Sequence, residues 1–244
     1  MLVYIKFGHP IYTIYKILGR CFILECWYIK ACNNSGKEGC GPACIKFQEI
    51  KYMLDNSGLP ARAKGPIKIY DVPEDKEAYT FLHHVNDNIV KYVKEGNNLL
   101  IFSEECGNGK TTWAMKLLTK YIDQIWNGNR FRIRAYYINV SKLYEIFREN
   151  IGIQTDEWTT LKNLLLTVDL LVLDDIALTN VEDRFYNLLY NIIDDRYQNM
   201  KSTIYTSNIV PEDIMLKLGR RIYSRVVNGS DVVEFIAGDR RGVD

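Results

Sequence analysis

An apolar run, Leu99-Leu100-Ile101-Phe102, passes through Ser103-Glu104-Glu105-Cys106 into Gly107-Asn108-Gly109-Lys110-Thr111-Thr112, after which a helical pattern begins. A strand, a glycine-bearing turn and a helix start in that order make a phosphate-binding loop. Gly107 and Gly109 let the backbone curl so that successive N–H groups point inward at a phosphate, which side chains there would obstruct. Lys110 supplies a point charge for β- and γ-phosphates. The Thr111 hydroxyl is placed to ligate the Mg²⁺ that accompanies a nucleoside triphosphate. The positive end of the helix beginning near Lys110 adds to the same field. The nucleotide-binding candidates are therefore Gly107, Asn108, Gly109, Lys110, Thr111 and Thr112. Glu104 stands where the usual pattern has its first glycine.

A second constellation supplies what a triphosphate site still lacks. Leu170-Leu171-Val172-Leu173 is a continuous apolar run closed by Asp174-Asp175, as expected of a central parallel strand whose C-terminal end faces a ligand. Asp174 is the candidate Mg²⁺ ligand, and Asp175 the candidate for orienting or deprotonating an attacking water. The spacing from the phosphate loop leaves room for one helix, one strand and another helix. Ser202-Thr203-Ile204-Tyr205-Thr206-Ser207 reads as a further strand, which would stand Asn208 beside a γ-phosphate. Arg221 and Arg225 follow at i, i+4 spacing on one helical face, either as a solvated surface or as an arginine finger offered to a neighbouring subunit.

Phosphate loop, Asp-Asp strand, Thr-Ser-Asn strand and Gly219-Arg220-Arg221-Ile222-Tyr223-Ser224-Arg225, in that order, resemble the AAA+ replicative helicase loaders of the DnaC/DnaI type in their phage or prophage form. The resemblance runs roughly from Cys32 to Arg241 and is strongest from Asn98 onward. It implies that Lys110 and Thr111 bind ATP and Mg²⁺, that Asp174 and Asp175 form Walker B, that Asn208 is sensor 1, and that Arg225 is the finger. Arg240, in Gly238-Asp239-Arg240-Arg241, matches a sensor 2-like arginine. The implied partners are a replicative hexameric helicase, single-stranded DNA and neighbouring copies of the chain, in the cytoplasm of a bacterial host. Asp175 is an aspartate where many AAA+ ATPases carry glutamate, so slow hydrolysis is expected.

Cysteine usage sets the N-terminal part of the chain apart. Five of the six cysteines are Cys21, Cys26, Cys32, Cys40 and Cys44, while Cys106 lies in the phosphate loop. In an intracellular ATPase such clustering favours a shared cation over disulfides. The spacings lack paired Cys-x-x-Cys knuckles, so buried, unliganded cysteines are an equal reading. The loader resemblance implies zinc on Cys32, Cys40 and Cys44, with Cys26, Cys21 or His9 as the fourth ligand. Gly58 to Pro66 is punctuated by Gly and Pro and reads as a linker. The expected division is a small Cys-rich module at 1–57, a linker at 58–72 and an ATPase core at 73–244.

The remaining patterns complete an α/β reading: a parallel sheet with helices on both faces. One helix is expected from Pro73 to about Lys94, another from Lys142 capped by Ser141, and another over 182–199. About forty residues follow Ser207, too few for a full helical C-terminal lid domain. A hydrophobic content of 47% argues against disorder. A net charge of +1 means that any nucleic-acid contact comes from a local patch. Lys142, Arg148 and Lys162, with Tyr136, Tyr137 or Tyr144 stacking on bases, are the candidates for it. Lys6, Pro10, Lys16 and Arg20 interrupt the apolar opening before it could span a bilayer, so no membrane association is expected. The opening itself reads as a short hydrophobic extension or as a strand or a helix of the N-terminal part. Three functions compete: an ATP-driven helicase loader, a transposition helper of the IstB type, and a non-hydrolysing adaptor or helicase inhibitor that uses ATP only for shape.

Overall fold

The computed structural model describes the backbone of residues 3–5, 12–17 and 20–24 and, in full, residues 44–65, 67–125, 131–153, 155–178 and 181–240. Among the described opening residues, β1 (Val3–Ile5), β2 (Tyr12–Ile17) and β3 (Arg20–Leu24) pair antiparallel in that order. Helices α1 (Ile45–Asp55), α2 (Lys76–Asp87) and α3 (Ile89–Lys94) follow. Then β4 (Leu99–Phe102), α4 (Lys110–Gln124), β5 (Ala135–Asn139), α5 (Val140–Glu149), α6 (Asp156–Thr167) and β6 (Leu170–Asp174) alternate. Finally come α7 (Asp183–Gln198), β7 (Ser202–Ser207), α8 (Pro211–Val226) and β8 (Asp231–Glu234).

The second sheet is parallel throughout, in the order β5-β6-β7-β4-β8. Every residue of β4, β6 and β7 is buried, which is why these strands read as unbroken apolar or small-residue runs rather than alternating ones. The period of two divides them between two core layers. Leu99, Ile101, Leu170 and Val172 pack with Trp113, Leu117 and Leu118 of α4. Leu100, Phe102, Leu171 and Leu173 face the opposite way, against Leu143, Phe185, Leu189 and Ile222 from α5, α7 and α8. The sheet is thus covered on both sides, and the C-terminal ends of β4, β6 and β7 come together at one rim.

Several boundaries differ from the sequence reading for local reasons. The helix expected from Pro73 to Lys94 is a 3₁₀ turn (Pro73–Asp75) and two helices, because Asn88 leaves helical geometry and its side chain caps the end of α2 at His84 O, 3.0 Å away. Two helices, not one, lie between β5 and β6. Asn150 ends α5, Gly152 takes a φ of +78°, and the Thr155 hydroxyl caps α6 by accepting from Trp158 N. Asn139, not Ser141, caps α5: its side-chain oxygen accepts from the backbone of Ser141 and Lys142.

Packing ties the stretch read as a linker, and the helix before it, to the core. Ile50, Met53 and Leu54 of α1, and Leu59 and Ala63 beyond it, are buried in the same layer as α4. Tyr137 N donates to Ser57 O at 2.7 Å, so the turn after α1 lies along the outer edge of β5. Of the zinc candidates, Cys26, Cys32 and Cys40 lie outside the described residues. Cys44 is half-buried, free of any disulfide, and precedes α1. Among the described residues no group of three or more His, Cys, Asp or Glu side chains is arranged to hold a metal, and no helix is long and apolar enough to cross a membrane.

Candidate functional site

The phosphate loop occupies the turn from β4 into α4. Gly107 and Gly109 have φ of +76° and +103°, the left-handed region where a Cβ is strained, so these two glycines are demanded by the backbone. Glu104 is exposed and outside that region, which explains how an acid is accommodated at the first loop position. The loop is braced from within. Asn108 Nδ2 donates to Ser103 Oγ at 2.6 Å and to Ala237 O at 3.2 Å, and Ser103 Oγ also accepts from Glu105 N. Lys110 is 6% exposed, and its Nζ donates to Glu105 O at 2.7 Å and Asn108 Oδ1 at 3.2 Å. Its ammonium is therefore held at the loop, on the first turn of α4, with Thr111 and Thr112 beside it.

The Thr111 hydroxyl joins the two halves of the site by donating to Asp174 Oδ1 at 2.7 Å. Asp174 closes β6, is 4% exposed, and accepts three further hydrogen bonds. Thr206 Oγ1 reaches Oδ1 at 2.7 Å, while Tyr137 Oη at 2.8 Å and Asn139 Nδ2 at 3.3 Å reach Oδ2. Thr111 Oγ1 and the Asp174 carboxylate are adjacent hard oxygen donors at the end of the phosphate loop, a donor set that fits Mg²⁺. The next residue, Asp175, takes a φ of +58° that turns it out of the strand, with its N–H donating to Thr206 Oγ1 at 2.8 Å. Asn208 Nδ2 donates to Asp175 Oδ1 at 3.0 Å. Burial, reinforced by the Asp174 carboxylate, pushes the Asp175 carboxyl above the usual aspartate value, against the opposing pull of Lys110 and Asn208. Lys110, Thr111, Asp174, Asp175 and Asn208 thus form one connected group on three strand ends.

Arg240 reaches the loop from behind. Its guanidinium pairs with the buried Asp75 carboxylate and with the Tyr79 hydroxyl, and its backbone N–H donates to Gly107 O at 3.2 Å. The preceding Asp239 carboxylate lies so close that a Cβ at position 107 would sit 1.8 Å from its Oδ1. The structure does not bring Arg225 to this group. Its Nε donates to Asp194 Oδ1 of α7 at 2.8 Å and its guanidinium covers the Tyr197 ring at 4.9 Å. Gly219, with φ +75° and ψ 163°, breaks α8 just before the Arg220–Arg225 turn and so gives that turn its own direction.

The aromatic and basic residues considered for nucleic acid have intramolecular uses. The Tyr137 hydroxyl is on Asp174, Tyr144 packs on Phe185 with centroids 4.8 Å apart, and Tyr136 leans on the second core layer. Lys142 pairs with Glu145 at 3.0 Å, Arg148 lies over Tyr144, and Lys162 lies over Trp158. Sequence reasoning missed Tyr137, Asn139, Thr206, Asp75 and Tyr79 as parts of the site. A signal existed for two of them: period-two alternation puts Tyr137 and Asn139 on one face of β5, and the strand register then sets Asn139 opposite Asp174. Nothing local marks Asp75 or Tyr79, which meet Arg240 across more than 160 residues of chain.

The fold has known counterparts. The family described as IstB-like ATP binding protein matches residues 83–234. A replicative helicase loader DnaC from Buchnera aphidicola subsp. Baizongia pistaciae is 28% identical over 153 residues, which make up 62% of this chain and 56% of that relative. The chain therefore spans little more than half the length of this curated relative. Among solved structures, the DnaC helicase loader aligns with a TM-score of 0.59 at 22% identity, over 75% of this chain and 98% of that one. DnaI aligns at 0.57 with 16% identity, over 75% and 93%. AMPPCP-bound DnaA from Aquifex aeolicus aligns at 0.53 with 22% identity, over 78% and 52%. At these identities the structural likenesses establish a shared fold. With more than half of its length matched, the chain belongs to the IstB-like ATP-binding protein family.

Proposed function

We propose that this protein binds and slowly hydrolyses ATP to deliver a replicative hexameric helicase onto single-stranded DNA, in the phage or prophage setting of a bacterial cytoplasm. The observation that carries the ATPase half is the direct Thr111–Asp174 hydrogen bond, which joins phosphate loop and acidic strand end into one site. Lys110 and the loop N–H groups hold the β- and γ-phosphates. Thr111 and Asp174 would hold Mg²⁺, which would neutralise phosphate charge when bound. Asp175, kept in place by Asn208, orients the attacking water and accepts its proton. The short side chain of Asp175 limits its reach. Arg225 acts on a neighbouring copy's site, with Asp194 and Tyr197 holding its guanidinium in readiness. Arg240 positions the phosphate loop through Gly107.

The loader half rests on the similarity to the Buchnera helicase loader. A transposition helper is the second reading, because the family is described by its IstB-like members. The experiment that tests the proposal measures ATP binding, ATP turnover and transfer of the host replicative helicase to circular single-stranded DNA. Lys110→Ala should abolish ATP binding and helicase transfer together while the fold is retained. Unaltered ATP binding by this variant would refute the site. Wild-type turnover with no capture or transfer of helicase would favour the transposition reading.

A further inference from the structure

Asp174 has only two carboxylate oxygens, and four donors divide evenly between them. Thr111 and Thr206 bond Oδ1, whereas Tyr137 and Asn139 bond Oδ2. Tyr137 makes the shorter of the two Oδ2 contacts, at 2.8 Å. Its phenolic O–H is the donor of that contact, since a carboxylate oxygen only accepts. A fixed donor on Oδ2 sets the rotation of the carboxylate and aims Oδ1 at Thr111, the other metal candidate.

Tyr137 is itself held from outside the sheet. Its backbone N–H donates to Ser57 O at 2.7 Å, and its carbonyl faces Gly58 so closely that a Cβ at position 58 would lie 2.2 Å from the oxygen. Gly58 has a φ of +72°, and Ser57 is fully buried, with its hydroxyl bonded to Leu54 O at 2.7 Å. The end of α1 is thus fastened to the one residue of β5 that touches Asp174 through its hydroxyl.

We propose that Tyr137 is a positioning residue for the metal-binding carboxylate, and that the Ser57–Gly58 turn sets its placement, so that whatever displaces α1 is felt at Asp174. This rests on the nucleotide-site reading above. The chain leading into α1 carries the Cys-rich segment, and the route from α1 to Asp174 runs through the Ser57–Gly58 turn and the Tyr137 side chain.

The test measures the affinity of full-length protein for a fluorescent, non-hydrolysable ATP analogue, with Mg²⁺ and with EDTA; the ratio of the two is the readout. Tyr137→Phe should lower that ratio about tenfold, within the range seen when an outer-shell partner of a metal ligand is removed. Affinity in EDTA should stay at the wild-type value, which a merely structural role of the hydroxyl, felt equally with and without metal, would not allow. Gly58→Ala, which must push the turn away from Tyr137 O, should shift the ratio in the same direction. A Tyr137→Phe ratio within twofold of wild type overturns the positioning role. A wild-type ratio for Gly58→Ala overturns the link to α1. If the wild-type protein itself shows no Mg²⁺ effect, the nucleotide-site reading fails instead.

Discussion

Met53→Ala separates two views of the N-terminal third. If α1 belonged to a module joined to the core by a loose linker, truncating a side chain on it would leave the ATPase core unaffected. In the structure Met53 is 1% exposed and sits with Ile50, Leu54, Leu59 and Ala63 in the layer that also contains Trp113, Leu117 and Leu118 of α4. Truncating a buried methionine to alanine costs roughly 2–5 kcal/mol, the lost transfer energy plus the cavity left behind. For a domain of 150–250 residues, 1 kcal/mol moves the melting temperature by about 2–4 °C. The expected drop is therefore roughly 4–20 °C in the transition that also releases bound nucleotide. Differential scanning calorimetry of the full chain, with and without ATP analogue, reads it directly. A nucleotide-sensitive transition that stays within 1 °C of wild type, on the scale of these expected shifts, would refute the packing of α1 on the core. The same packing means that a fragment starting at Lys68 should be far less stable than one starting at Cys44, since it bares the α4 layer.

The other expectations concern chemistry. Asp175→Asn should retain nucleotide but lose hydrolysis in a steady-state phosphate-release assay, since an amide cannot accept the proton. Because burial and Asp174 raise the Asp175 pKa, wild-type turnover should fall as pH drops through that raised value, above the ordinary aspartate value of about 3.9. Turnover that stays flat down to the ordinary aspartate value would exclude Asp175 as the base. Arg225→Ala should leave ATP affinity of the isolated chain unchanged but suppress oligomer-dependent hydrolysis. Mixing it with Asp175→Asn protein should restore part of the activity, and no rescue at any ratio would count against a finger acting in trans. If Cys32, Cys40 and Cys44 hold zinc, elemental analysis of purified protein should find about one metal ion per chain. Metal-free protein that still captures helicase would show those cysteines to be ordinary packing.

The connected geometry also accounts for two departures that looked like weaknesses. Glu104 is tolerated because only Gly107 and Gly109 need the left-handed region. Asp175, though one methylene short of a glutamate, is turned out of β6 by its own left-handed backbone and pinned by Asn208. Aspartate is among the few residues with a side chain that accepts such a φ readily.

Local chemistry was enough to identify the strand ends that matter. A glycine that must curl, a lysine and threonine opening a helix, and two acids closing an apolar run are each demanded by interactions within a few residues, so their order in the chain already announced a glycine-bearing turn into a helix beside an acidic strand end on a parallel sheet. What remained undecided in the sequence is everything that depends on which strands become neighbours. The order β5-β6-β7-β4-β8 sets Tyr137, Asn139 and Thr206 around Asp174, although they come from strands up to 69 residues apart in sequence. Arg240 meets Asp75 and Tyr79 only because β8 lies beside β4 and returns the chain to the phosphate loop. Glycine and proline around residues 58–66 looked like a linker because composition records turn-forming tendency, not burial. Whether such a turn hangs free or docks depends on the apolar faces it meets in three dimensions, here those of α1, α4 and the edge of β5.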